Sequence, residues 1–240
     1  MLNYLLFIAL PYAALAVFII GSIFRYRFMG FKVSSLSSQF LEGKNLFWGS
    51  QPFHWGMFFL FFGHLTAFLI PRAVIAWNGD PLRLIILEVT GFAFGLSALL
   101  GILLLIFRRL TNKRLQMVTN YMDVVVYIVL LVQITSGLWV AFFNRWGSSW
   151  FASTLTPYLR SIFSFDPQVD AVSMMPLSVQ IHIVSAFSII AIIPFTRFVH
   201  FLVYPVDYLW RRYQQVIWNW DRKDIRASRK HVYGERTKNN

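Results

Sequence analysis

The chain has 240 residues, of which 57% are hydrophobic, 18% aromatic and only 13% charged. A water-soluble domain carries about 25% charged residues to cover its core, so a soluble globular fold is excluded. Zero Cys excludes a disulfide framework, a thiolate zinc site, an Fe–S cluster and a covalently attached c-type haem. The net charge of +12 would suit a polyanion, but its placement along the chain gives it another meaning.

Five apolar segments are long enough to cross a bilayer, which takes about 20 residues. They run over about Tyr4–Phe24, Phe53–Val74, Leu84–Phe107, Tyr121–Phe143 and Leu177–Tyr204. The expected fold is all-α, an integral membrane bundle of five transmembrane helices. No Lys or Arg precedes the first segment and no small-x-small cleavage site closes it. It is therefore expected to be a retained helix rather than a signal peptide.

The basic residues set the expected orientation. Arg25, Arg27, Lys32 and Lys44 follow the first helix, and Arg108, Arg109, Lys113 and Arg114 follow the third. More follow from Arg197 to the C-terminus. Of the 22 Lys and Arg, only Arg72, Arg83, Arg145 and Arg160 fall in the other two loops. The N-terminus is thus expected outside and the C-terminus inside a prokaryotic cytoplasmic (inner) membrane. The basic excess is a topology signal that also favours anionic lipid, and no nucleic-acid partner is expected. Between the fourth and fifth helices, Trp146, Trp150, Phe151, Tyr158, Phe163 and Phe165 alternate with Ser and Thr, which suits a short interfacial helix. Residues 1–217 are read as the membrane domain and 218–240 as a polar, basic cytoplasmic tail.

Four of the five His lie in the predicted spans: His54 and His64 on the second, His182 and His200 on the fifth. One ionisable residue in a bilayer can serve a helix–helix hydrogen bond, but two pairs on two helices point to function. With these helices antiparallel, His64 pairs with His182 toward the outside and His54 with His200 toward the cytoplasm. Two facing imidazoles are the arrangement that clamps a haem iron axially. A di-iron centre would need ligands at closer spacing. The rise from His54 to His64 is about 15 Å and from His182 to His200 about 27 Å, the latter five whole turns on one face. A kink near Pro194 is expected to absorb the mismatch. Gly91 and Gly95 form GxxxG, which suggests close helix packing or room for a haem face.

Taken in order, the segments VFIIGSIFRY (17–26), SSQFL (37–41), FHWGMFFLFFGH (53–64), FRRL (107–110), MDVVVYIVLLVQITSGL (122–138) and PFTRFVHFLVYPVDYLWRRYQ (194–214) resemble a known family. It is the gamma subunit of membrane-bound respiratory nitrate reductase, a dihaem cytochrome b, and the resemblance covers nearly all the chain to about Val216. It implies two haem b groups, one held by His54 and His200 and the other by His64 and His182. It further implies oxidation of a quinol from the quinone pool, menaquinol or ubiquinol, near the outer haem. Gly63 and His64 match that neighbourhood. The family has a functional Lys between the second and third helices; this chain has no Lys there, and Arg83 or Arg72 is the candidate substitute. Electrons would pass to a cytoplasmic Fe–S subunit and a molybdenum catalytic subunit reducing nitrate to nitrite. Ser37, Ser38, Arg108, Arg109 and Arg197 are candidate haem-propionate partners. The competing readings are a related dihaem anchor of a sulfur-cycle or heterodisulfide-type reductase, a haem-free docking anchor and a small transporter.

Overall fold

The computed structural model describes residues 1–28, 41–198 and 202. Ser37, Ser38, His200 and the tail from 218 lie outside them. Every regular element among the described residues is helical. The long helices are α1 (Leu2–Phe28), α2 (Lys44–Leu69), α4 (Pro81–Thr111), α6 (Tyr121–Phe143) and α9 (Leu177–Phe195). Shorter ones are α3 (Pro71–Asn78), α5 (Lys113–Met117), α7 (147–163) and α8 (Asp170–Ser173). By length and composition α1, α4, α6 and α9 can each cross a membrane, and α2 with α3 makes a fifth, bent span.

Two of the expected spans are corrected by proline. The second was read as one helix over Phe53–Val74, but α2 starts at Lys44 and the chain turns through 105° after Leu69. Ile70, forced out of the helical region by the ring of Pro71, has φ −127° and ψ 56°. The fifth was expected to run through Pro194 to Tyr204. Instead α9 tightens into a 3-10 turn at Ile193–Phe195 and stops, with Thr196 extended at φ −117°, ψ 177°. His182 lies on α9 before this break, and the expected shared face with His200 falls outside the described residues. Pro194 ends the helix because its ring removes a backbone donor.

The carbonyls orphaned by these prolines are satisfied by side chains from other elements. Pro71 has no N–H for Ala67 O, and the Thr156 hydroxyl of α7 donates to it at 3.3 Å. One guanidinium nitrogen of Arg160 donates to Phe68 O and Leu69 O at 2.8 and 3.1 Å. Pro11 likewise leaves Phe7 O free beside the π turn of α1, and buried Tyr158 donates its hydroxyl there at 2.9 Å. Burial pushes the Tyr158 phenol up, so it stays a donor. Arg25 caps the end of α9 through Pro194 O and Thr196 O. The aromatic segment 147–163 does form a helix, but it buries Leu155, Tyr158 and Ile162 against the bundle. Each such bond contributes about 1 kcal/mol net, and more where the donor is charged.

Packing runs from α2 to α4, α4 to α6, α6 to α9 and α9 to α1. The closest seam is α2 with α4: Gly49 lies against Leu105, Gly56 against Phe94 O and Ala98, and Gly101 against the backbone of Phe53. Phe59 stacks on Phe94 in the same register. Gly95 faces Leu138 of α6, and a Cβ on Gly91 would meet nothing within 4 Å. GxxxG is thus not the tight seam, which is built on Gly49, Gly56 and Gly101. Many Phe, including Phe58, Phe61 and Phe62, are exposed.

Candidate functional site

The two helices carrying the described histidines, α2 and α9, are not in extensive contact; α4 and α6 complete the arc between them. Toward the α7 end the rings of His64 and His182 face each other across this gap, with centroids 6.4 Å apart and planes inclined 38°. An ion bound axially between two imidazoles, each with a metal–nitrogen bond of about 2.0 Å, would hold ring centres about 6.3 Å apart. The donor set and spacing therefore fit a bis-histidine haem iron. Among the described residues no three His, Asp or Glu gather to hold a metal ion; a bis-histidine haem needs only two.

The tautomers follow from the hydrogen bonds. Carbonyl oxygen only accepts, so each Nδ1 facing one is protonated and Nε2 carries the lone pair. His54 Nδ1 donates to Ser50 O at 2.8 Å and His64 Nδ1 to Leu60 O at 2.7 Å, both one turn back on α2. The Ser50 hydroxyl lies 3.0 Å from the same nitrogen of His54. His182 Nδ1 instead donates across to α6, to Gln133 O at 3.0 Å, with Ser136 Oγ at 3.1 Å. The Gln133 amide donates to His182 Nε2 at 3.1 Å, a bond that iron ligation there would displace, and accepts from the Ser185 hydroxyl. Phe151 of α7 sets its ring edge-on to His64 at 5.2 Å. His54 and His64 are exposed on the gap side of the fold while His182 is half-buried.

The other expected site residues are distributed as follows. Gly63 has open space beyond its Cα. The register of α2 on α4 sets Gly91, equally open, at the same level. Arg83 sits in the first turn of α4, its N–H on the Asp80 side chain and its guanidinium over Trp77 at 4.9 Å. The three arginines expected at haem propionates each meet a carboxylate of the chain. Arg108, 3% exposed, pairs with Glu42 at 2.5 Å, while Arg109 and Arg197 both pair with Asp123 at 3.1 and 2.9 Å. Burial by itself would raise the Glu42 carboxyl, but the Asn45 N–H and the Arg108 guanidinium outweigh it and hold it below its ordinary value. Asp123 also closes the capping box of α6 with Asn120.

Sequence reasoning gave α6 no part in the site. The signal was present, since Gln133, Ser136 and Gly137 interrupt an otherwise apolar span, and polar groups at such depth are costly unless used.

The chain matches the family described as nitrate reductase gamma subunit over residues 3–219. It is 33% identical over 207 residues to the nitrate reductase gamma chain of Bacillus subtilis (strain 168), covering 85% of this chain and 93% of that one. It is 30% identical over 218 residues to the respiratory nitrate reductase 2 gamma chain of Escherichia coli (strain K12), covering 90% and 96%. To the respiratory nitrate reductase 1 gamma chain of the same strain it is 31% identical over 223 residues, covering 90% and 97%. With its apolar helices, this makes it a multi-pass inner-membrane protein and a membrane-anchored electron-transfer subunit acting in complex with other nitrate reductase subunits. The chain belongs to the nitrate reductase gamma subunit family.

Proposed function

We propose that this subunit is a dihaem cytochrome b that takes electrons from quinol near the outer face of the membrane. The observation that carries the reading is the 6.4 Å approach of His64 and His182 across the gap between α2 and α9. In this reading His64 and His182 hold one haem b, and His54 and His200 hold the other nearer the cytoplasm. When bound, the haems supply one-electron transfer between a two-electron quinol donor and the partner subunits.

The chain's own residues do the rest. Nδ1–H bonds to carbonyls fix the tautomer of each imidazole and leave the lone pair on Nε2. Phe151 shields one side of His64 from water. Open space at Gly63 leaves room for a planar ring beside His64, with Arg83 a donor toward the outer surface. The basic loops favour the N-terminus outside and the C-terminus in the cytoplasm. The expected partners there are an Fe–S subunit, since this chain has no Cys to hold a cluster, and a molybdenum subunit reducing nitrate.

The test is a pyridine haemochrome count with reduced-minus-oxidised spectra. Wild type is expected to carry two b haems per chain, and His64→Ala to keep one. That variant should lose quinol-driven nitrate reduction in the complex while a soluble donor still supports it. Two haems retained in His64→Ala would refute the pairing, and none in wild type would refute the reading.

A further inference from the structure

His54 and His64 are oriented by their own helix, each Nδ1 bonding the carbonyl one turn back. His182 is oriented by a different helix, and by one that supplies no ligand. Its Nδ1 bonds Gln133 O, Ser136 Oγ stands 3.1 Å from the same nitrogen, and Ser136 also donates to Gln133 O at 3.1 Å. Its ring rests on the bare backbone of Gly137. A Cβ there would lie 2.8 Å from His182 Cε1, 3.3 Å from Nδ1 and 3.6 Å from Nε2. Contacts that short force the imidazole to move, and the ring is rigid, so the displacement reaches the ligating nitrogen. Ser185, one turn along α9, ties the Gln133 side chain to the same place.

We propose that Gln133, Ser136 and Gly137 of α6 are positioning residues for His182, fixing its tautomer and ring plane and thereby tuning the haem it shares with His64. This deepens the dihaem reading and rests on it. The physical basis is that groups behind a metal-bound imidazole set its basicity and orientation. The packing of α6 on α9 would then set one ligand of that haem, whereas His54 and His64 are set by their own helix. A substitution on α6 can change one haem without the other.

The experiment compares wild type, Gly137→Ala and Ser136→Ala in membranes carrying the full complex, by potentiometric titration and by EPR of the oxidised haems. The g-anisotropy of a low-spin ferric haem reports the relative planes of its two axial imidazoles. Gly137→Ala is expected to shift the g values and midpoint potential of the His64–His182 haem, or to cost that haem alone, while the other keeps both. Ser136→Ala, which removes only a hydroxyl, is expected to keep both haems and shift the potential of the same one. Wild-type values for that haem in both variants, or equal changes in the two haems, would overturn the proposal. Two haems in wild type with unchanged variants would refute the cradle alone; no haem in wild type would refute the dihaem reading with it.

Discussion

Gly101→Ala tests how α2 and α4 are held together. A Cβ at Gly101 would sit 2.4 Å from Phe53 N, 2.7 Å from Gly49 O and 2.7 Å from Phe53 Cα. All three are backbone atoms, so no side chain can rotate aside and the helices must separate. Overpacking of this kind costs about 1–3 kcal/mol, and a backbone clash belongs at the upper end. Helix propensity runs the other way, since Ala is favoured over Gly by about 1 kcal/mol in a helix interior. Gly91→Ala is the matched control: same helix, same chemical change, and nothing within 4 Å of the new methyl. The propensity gain is common to both, so their difference isolates the clash at about 3 kcal/mol, or about 6–12 °C for a chain of this size. The assay is thermal unfolding of both purified variants in one detergent at one scan rate, because membrane proteins commonly unfold irreversibly. Equal midpoints would refute the close approach. Since Phe53 immediately precedes His54, Gly101→Ala should also weaken retention of the haem assigned to His54.

Two further outcomes are expected at the end of the bundle where α2 begins. Glu42→Gln removes the carboxylate that Arg108 meets at 2.5 Å and is expected to cost about 1.5–3 kcal/mol at neutral pH, read as a lower unfolding midpoint. Because the folded Glu42 carboxyl is held below its ordinary 4.5, its contribution is full above that pH and is lost as pH falls through the folded value. The gap between wild type and variant should close in acid, and a gap that widened there would contradict the sign. Asp123→Asn leaves Arg109 and Arg197 without the carboxylate they share. Because one substitution unpairs two guanidiniums at once, Arg109 at 12% and Arg197 at 30% exposure, this variant should unfold below Glu42→Gln in the same assay.

Composition and periodicity alone determined that this protein lives in a membrane, that it is all-α, and which side chains could bind metal there. Those properties are legible because they are written locally: a span needs only consecutive apolar residues, and a histidine in it stands out. The family resemblance was equally local, carried by short ordered segments. Where helices break is also a local matter: the proline at 194 marks its kink, but the turn after Leu69 is hidden because apolar residues continue past Pro71 and hydropathy does not register a missing N–H. Only the tertiary structure decided what compensates those breaks. Thr156, Arg160 and Tyr158 lie some 90 to 150 residues from the carbonyls they satisfy, and no window of sequence contains both partners. The same holds for the site. The pairing of His64 with His182 followed from antiparallel order, but the gap between α2 and α9, the 6.4 Å spacing and the cradle of Gln133, Ser136 and Gly137 depend on which helices touch. Helix neighbours are chosen by the fit of small residues such as Gly49, Gly56 and Gly101 against a facing backbone, and that fit exists only once the chain has folded.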